Sequence, residues 1–398
     1  MSRRILIVAS EYDPFNSSGI IRIKAFRKVL MNAGYHVFVL AADASVYGLS
    51  SDKEIDAKRR IVRARGLPHS MGRVLKTRYL PIDRWLGQPD SYYHWLPHAK
   101  RVGLQLIDKE QIDTIFCSFP NYSALQVGHY LASKKDLALS VDFRDPPPFL
   151  IDTNYVACPK EAVIIRNCLM RANAVTAATE NTKREIVDHY GLDAQASVIA
   201  NGYDEELVNA LPAHDPQPSD VFQVMHIGSF YSVGRDIVRV VRALEGFQRH
   251  KRPERKLVLR LIGDEPWQEE MTRSREIARH IELICEPPCS NHEALRRAKA
   301  ADALLLLQGD LFDRQIPAKT YEYLALSRPI WAVVGNEGAT RKFLELYPEN
   351  VIFSDYCDPE KIRASVHDLL NLESVEIDVS ELSRQVESTK LLSVIEAL

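Results

Sequence analysis

In the stretch "RQIPAKTYEYLALSRPIWAVVG", Arg314 to Gly335, a proline-led turn sets Lys319 and Glu322 three residues apart at the start of a predicted helix. That helix feeds straight into an apolar strand. Residues three apart share a helical face. The free N–H groups and dipole of a helix start favour an anion. An ammonium and a carboxylate so placed suit a nucleotide diphosphate.

A second cation follows a predicted strand in "HIGSFYSVGRDIVRVVRAL", where Gly228 and Ser229 lead through a loop to Gly234 and Arg235. Exposed backbone amides and a guanidinium would hold a diphosphate leaving group by charge-assisted hydrogen bonds. The alternative is a tight turn with a solvated arginine. The P-loop is excluded, because five residues rather than four separate the glycines and Arg235 stands where Lys-Ser/Thr would be. Nearer the N-terminus, "SEYDPFNSSGIIRIKAFRKVL" places Ser17, Ser18 and Gly19 before an amphipathic helix, small residues that would let a ligand approach the backbone. It is not the GxGxxG dinucleotide fingerprint. In "SVDFRDPPPF" a strand ends in Asp142, Arg144 and Asp145 before three prolines, a rigid polar rim where the chain leaves a sheet. Two carboxylates flanking an arginine read equally as a structural ion pair.

Apolar runs of four to six residues alternate with amphipathic segments throughout, the pattern of βα units around parallel sheets. One series of strands runs through "RILIVA", "HVFVLA", "TIFCSF", "LALSVDF", "AVTAAT" and "SVIANG". A second runs through "FQVMHIG", "KLVLRLIG", "IELIC", "ADALLLL", "PIWAVV" and "NVIFS". Between them "LPAHDPQPSD" has no periodicity and reads as a linker. The expected fold class is α/β, with two doubly wound, Rossmann-like domains: 1–212, and 220–380 on the nucleotide side, followed by a helical tail, 381–398, that could cross back onto the first domain. Open parallel sheets bind ligands beyond the carboxyl ends of their strands, so a cleft between two such domains is the expected site.

Composition narrows the classes. A chain of 398 residues with 46% hydrophobic and 26% charged residues is an ordinary globular one, and a net charge of -2 speaks against a nucleic-acid binder. No apolar run approaches the ~18 residues that span a bilayer. Six cysteines without a CxxC pair fit a reducing compartment, which makes the cytoplasm the expected location. His280, Cys285, Cys289 and His292 lie close in sequence, but their spacing matches no common zinc pattern and "IELIC" reads as a buried strand. No metal is expected.

Taken in order, "EYDPFNSSGIIRIKAFRKVLMNAGYHVFVLAA", "LGQPDSYYHWLPHA", "SFPNYSALQVGHYLA", "DFRDPPP", "SVIANGYD", "HIGSFYSVGR", "LIGDEP" and "IPAKTYEYLALSRPI" resemble the family 4 glycosyltransferases over nearly the whole chain. The resemblance implies a GT-B fold and metal-independent transfer of a sugar from a nucleotide-diphosphate sugar, a UDP-sugar being favoured, with retention at the anomeric carbon. No other cofactor is implied. No DxD triplet occurs, so cationic side chains and helix ends would carry the diphosphate charge. Matched by position, Gly19 would line the donor or acceptor side, and Gly228, Ser229 and Arg235 would take the phosphates with Lys319 as second cation. Glu322 would accept both ribose hydroxyls, and the donor stretch would include Arg314, Gln315, Ile316 and Pro317. Base contacts are expected from backbone around Glu286 to Ser290.

Two departures matter. Many relatives carry a glutamate eight residues before the second one; Arg314 stands there. Arg144, followed by Asp145, replaces the usual catalytic histidine, so a front-face substitution is expected, with Arg144 and Asp145 orienting sugar or acceptor. The other readings are a catalytically silent GT-B binding partner and a nucleotide-sugar epimerase. Expected acceptors are saccharides, lipid-linked saccharides or small molecules. The basic, aromatic-interleaved stretch 58–85 is an expected peripheral contact at the inner face of a membrane, or else a solvated basic face covering acidic neighbours.

Overall fold

The structure, a computed structural model, describes residues 3–15, 18–66, 89–90, 92–148, 158–192, 196–212, 220–228, 234–251, 253–263 and 268–398. It divides into two compact units, Met1–Asn201 with Gln385–Leu398, and Gly202–Arg384.

Among the described residues the first unit holds seven parallel strands: β1 (Arg4–Ala9), β2 (His36–Ala42), β3 (Ile61–Ala64), β4 (Thr114–Phe119), β5 (Ala138–Phe143), β6 (Ala174–Ala177) and β7 (Ala196–Val198), in the order β3-β2-β1-β4-β5-β6-β7. Helices cover both faces, so strands read as continuous apolar runs rather than alternating ones. Alternation survives in which core each residue joins. Leu6 and Val8 of β1 pack with Trp95 and Leu125, whereas Ile5 and Ile7 pack with Phe26 and Leu391. Leu391 lies on the last helix, Arg384–Glu396, which thereby belongs to the first unit's core.

The edge strand β3 is absent from the sequence reading because it is four residues long and lies within the basic stretch. Ile61 and Ala64 are buried, while Arg63 pairs with Asp56 at 2.9 Å.

Among the described residues the second unit holds six parallel strands: β8 (Val221–Ile227), β9 (Lys256–Ile262), β10 (Glu282–Glu286), β11 (Ala303–Gln308), β12 (Ile330–Val334) and β13 (Val351–Asp355), in the order β10-β9-β8-β11-β12-β13. Strand order reverses between β8 and β11, as it does between β1 and β4 in the first unit. Such switch points are where open sheets receive ligands.

The chain passes between units at Asn201–Gly202 and again at Arg384–Gln385. Ala200 is fixed to the first unit, its carbonyl by Arg22 at 3.1 Å and its N–H by Glu387 at 2.9 Å. Tyr203 instead pairs with the second unit's own chain, its N–H donating to the Leu382 carbonyl at 3.2 Å and its carbonyl accepting from the Arg384 N–H at 2.7 Å. The expected linker lies farther along, and its residues 213–219 fall outside the described residues.

Candidate functional site

His226, near the end of β8, is fully buried, and its Nδ1 lies 2.8 Å from the carbonyl oxygen of Leu305 on β11. A carbonyl only accepts, so the proton resides on Nδ1 and Nε2 presents a lone pair. That lone pair faces the Nζ of Lys319 at 3.3 Å. Burial, with the Lys319 and Arg235 charges, pushes the His226 pKa well below its usual value, so the ring is neutral.

Lys319 is the second residue of the helix Ala318–Ala325, whose N-cap is Pro317 with φ -65°. Proline's fixed φ and missing N–H suit it to a helix start. Burial lowers the Lys319 pKa to about 7; Arg235 adds to the shift and Glu322 opposes it. Glu322 follows one turn later, its pKa raised by burial and pulled back by Arg384, by a hydrogen bond from the Asn291 side chain and by Lys319. Lys319 and Glu322 each keep a partial opening to solvent.

Gly228 corrects one expectation. Its N–H donates to the Ile262 carbonyl at 2.8 Å, so it offers no free amide to a phosphate. What the glycine supplies is room: its φ is +124°, and a Cβ there would stand 2.8 Å from Lys319 Nζ. Ser229 lies outside the described residues. Gly234 has φ +78°, and a Cβ there would meet the Phe312 ring at 2.8 Å. The Arg235 guanidinium carbon stands 5.1 Å from the centre of that same ring, a cation–π distance. Asp236, the next residue, immediately precedes the helix Ile237–Lys251; it donates its N–H to the Tyr356 hydroxyl at 3.1 Å and accepts from Val238 N–H at 3.0 Å.

The segment entering the Lys319 helix is held by its backbone. The Gln315 carbonyl accepts from Gln308 Nε2 at 3.1 Å and from the Thr340 hydroxyl at 2.8 Å. Arg314, Gln315, Ile316 and Pro317 are half-buried. Next to Arg314, burial and the Asp310 charge raise the Asp313 pKa to about 6, with Arg314 opposing.

In the first unit, Arg144 forks onto the carboxylate of Asp145, with Nε at 2.9 Å and Nη2 at 2.7 Å from Oδ2. Its Nη1 occupies the place a side chain on Gly19 would need. Asp142, expected beside them on an open rim, is instead fully buried within β5. It receives Arg22 Nη2 at 2.8 Å and Nε at 3.1 Å, the Ser118 hydroxyl at 2.8 Å and the Thr176 hydroxyl at 2.7 Å. Its partners come from helix and neighbouring strands, so it belongs to a buried ion pair with Arg22, not with Arg144, and is not part of a rim.

The remaining expectations have definite places. His280 Nδ1 contacts Glu245 at 2.5 Å, and Cys285 Sγ lies 4.0 Å from Met271 Sδ. Glu286 is bound to Arg260 at 2.8 Å and Arg297 at 2.7 Å. Within 58–85, Arg59 and Arg63 pair with Asp13 and Asp56, acids outside the stretch, and residues 67–85 fall outside the described residues. Among the described residues no helix is long and apolar enough to cross a membrane.

The second unit therefore brings Arg235, Lys319 and Glu322 into one electrostatically coupled group, with Gly228 against Lys319. Gly19, Arg144 and Asp145 form a second group in the first unit. Sequence reasoning missed His226, Asn291 and Phe312. The one signal for His226 was a polar residue in a run of strand apolars, "FQVMHIG".

No protein-family model matches the chain, and no curated protein matches it in sequence. Solved structures do match. The Anabaena protein HepE, in complex with UDP and glucose, is similar with a TM-score of 0.67 at 13% identity, over 100% of both chains. The N-terminal domain of Candida albicans trehalose-6-phosphate phosphatase gives 0.69 at 13% identity, over 100% of this chain and 97% of that one. UDP-GlcNAc 2-epimerase of Methanocaldococcus jannaschii gives 0.58 at 12% identity, over 100% and 99%. At these identities the likeness is one of fold, and the chain has the GT-B fold with two Rossmann-like parallel-sheet units.

Proposed function

We propose that the chain is a retaining, metal-independent glycosyltransferase of the family 4 type, moving a sugar from a nucleotide-diphosphate sugar to an acceptor hydroxyl. The observation that carries the reading is the convergence of Lys319, Arg235 and Glu322 beyond the switch point of the second sheet. A departing diphosphate needs fixed positive charge already in place, since charge that need not reorganise stabilises a transition state most effectively. Lys319 and Arg235 take that role. Glu322 accepts from the ribose hydroxyls, and its hydrogen bond from Asn291 keeps it oriented. Arg144 and Asp145 orient sugar or acceptor, with the departing phosphate assisting deprotonation of the acceptor hydroxyl. The acceptor is a saccharide, lipid-linked or small-molecule hydroxyl, and residues 58–85 supply a peripheral contact with anionic lipid.

Support comes also from similar folds: HepE has been solved with UDP-glucose, and an E. coli trehalose-6-phosphate protein with UDP-2-fluoro glucose. Calorimetry with a panel of nucleotide sugars is the test. Saturable binding is expected, weakened by Glu322→Ala by roughly tenfold to a hundredfold, the worth of hydrogen bonds to a charged group. Absence of any nucleotide binding would sink the reading.

The likeness to the Methanocaldococcus epimerase favours a second reading, epimerisation of the donor sugar. Product analysis without an acceptor separates the two: an epimerised nucleotide sugar marks the epimerase.

A further inference from the structure

The lysine of the site meets, at 3.3 Å, a buried histidine of the strand behind it. A lysine tip on four rotatable bonds carries about 2 kcal/mol of rotamer entropy, so an amine that must await an anion in one position needs a second anchor. Here the anchor is an imidazole. His226 is fixed across the β8–β11 junction by its 2.8 Å bond to the Leu305 carbonyl, and its remaining nitrogen meets Lys319 Nζ at 3.3 Å. Gly228 leaves the space a Cβ would fill, 2.8 Å from the same Nζ.

The choice of a neutral acceptor has a consequence. A carboxylate at this place would hold the amine more tightly and cancel its charge. A neutral imidazole directs the amine while leaving its charge to an incoming anion. Among the described residues, the charged and titratable groups that act on the pair include Arg235, from the loop before the helix Ile237–Lys251, and Glu322 and Tyr323, from the lysine's own helix. Tyr323 is itself committed, its hydroxyl accepting from the Ile227 N–H at 3.0 Å.

We propose that His226 is a positioning residue of the nucleotide site, a neutral acceptor with its proton held on Nδ1 that aims Lys319 at the diphosphate. This deepens the proposed function and rests on it for the identity of the anion. Because Lys319 sits near its own midpoint at neutral pH, capture of a diphosphate at pH 8 draws a proton onto the amine.

Two substitutions separate aiming from mere packing. His226→Asn keeps a donor where Nδ1 stood and removes the acceptor; His226→Gln extends an amide to the place of Nε2. Titrating UDP into the full chain from pH 6.5 to 9, in two buffers of different ionisation enthalpy, reads affinity and proton uptake together. The Asn variant is expected to bind about tenfold more weakly and with its pH midpoint moved down, and the Gln variant within about threefold of the parent, the scale of one hydrogen bond to a charged group. Asn and Gln variants that match the parent in affinity and midpoint would overturn the proposal. If the parent binds no UDP, the titration is repeated with the nucleotide diphosphate it does bind; if it binds none, the proposed function fails separately, and the ligand-free protein still decides about His226. Its Lys319 side-chain carbon signal, assigned by its loss in Lys319→Arg, is then followed against pH. A midpoint lowered in Asn but kept in Gln sustains the role, since the lost acceptor had favoured the charged form; an unmoved midpoint in both removes it.

Discussion

Arg144 places its Nη1 where a side chain on Gly19 would have to go, while its other nitrogens grip Asp145. A helix start and a strand end far apart in sequence thereby fit around one guanidinium. The contact concerns the tip of a long side chain rather than backbone, which separates its effect on function from its effect on folding.

Gly19→Ala is the direct consequence. The added methyl displaces Arg144 but strains no backbone, and at the second residue of the helix Ser18–Asn32 alanine gains at most the roughly 0.5–1 kcal/mol it has over glycine in a helix interior. The expected outcome is an unchanged or slightly raised thermal midpoint with turnover reduced by roughly 10²-fold, as misplacement of an orienting group produces. Sugar transfer measured beside a melt checks this. Full turnover in the variant would remove Arg144 from the chemistry.

The Arg22–Asp142 pair predicts the opposite balance. Both side chains are buried, and the carboxylate is satisfied from helix and strands alike. Removing one partner of such a pair costs about 3–5 kcal/mol, because the other charge is left unpaired in a poor solvent. Arg22→Met should therefore lower the first unit's stability by that amount, seen as faster amide exchange across β4, β5 and β6. A change below about 1 kcal/mol, the scale of exposed pairs, would show that the carboxylate reaches water.

Nucleotide affinity should follow the Lys319 titration. Its pKa is lowered to about 7 by burial, so the amine is charged below that pH and increasingly neutral above it. An anion needs the charged form. Affinity for a nucleotide diphosphate is accordingly greatest below pH 7 and falls as pH rises through 7 to 9, by at most tenfold per unit. Lys319→Arg should flatten this profile, since guanidinium stays charged throughout. Calorimetry across the range decides, and a flat parent profile would contradict the prediction.

Asp313 makes stability depend on pH in a calculable direction. Burial and Asp310 raise its pKa to about 6, against roughly 3.9 in an unfolded chain. Between those values the folded protein binds more protons than the unfolded one, so stability declines as pH rises from about 4 to 6 and stays reduced above. Asp313→Asn should raise the thermal midpoint at pH 7.5 and leave it nearly unchanged at pH 4. Scanning calorimetry at the two values checks the sign.

By itself the sequence determined the repeating strand–helix plan and the two sheets, because strands buried on both faces must be written as unbroken apolar runs, and "RILIVA" or "ADALLLL" can be little else. It determined too the Lys319–Glu322 spacing, since helical geometry converts three residues into one face. β3 escaped because four residues in a charged stretch carry too little pattern. Tertiary structure alone decided which polar groups were already spent: Asp142 on Arg22, and the Gly228 N–H on Ile262. It alone decided that His226 of one strand and Leu305 of the next would fix the imidazole that faces Lys319. Hydrogen bonds across a parallel sheet join residues whose separation in the chain is set by intervening helices. No local pattern therefore records which donor will meet which acceptor.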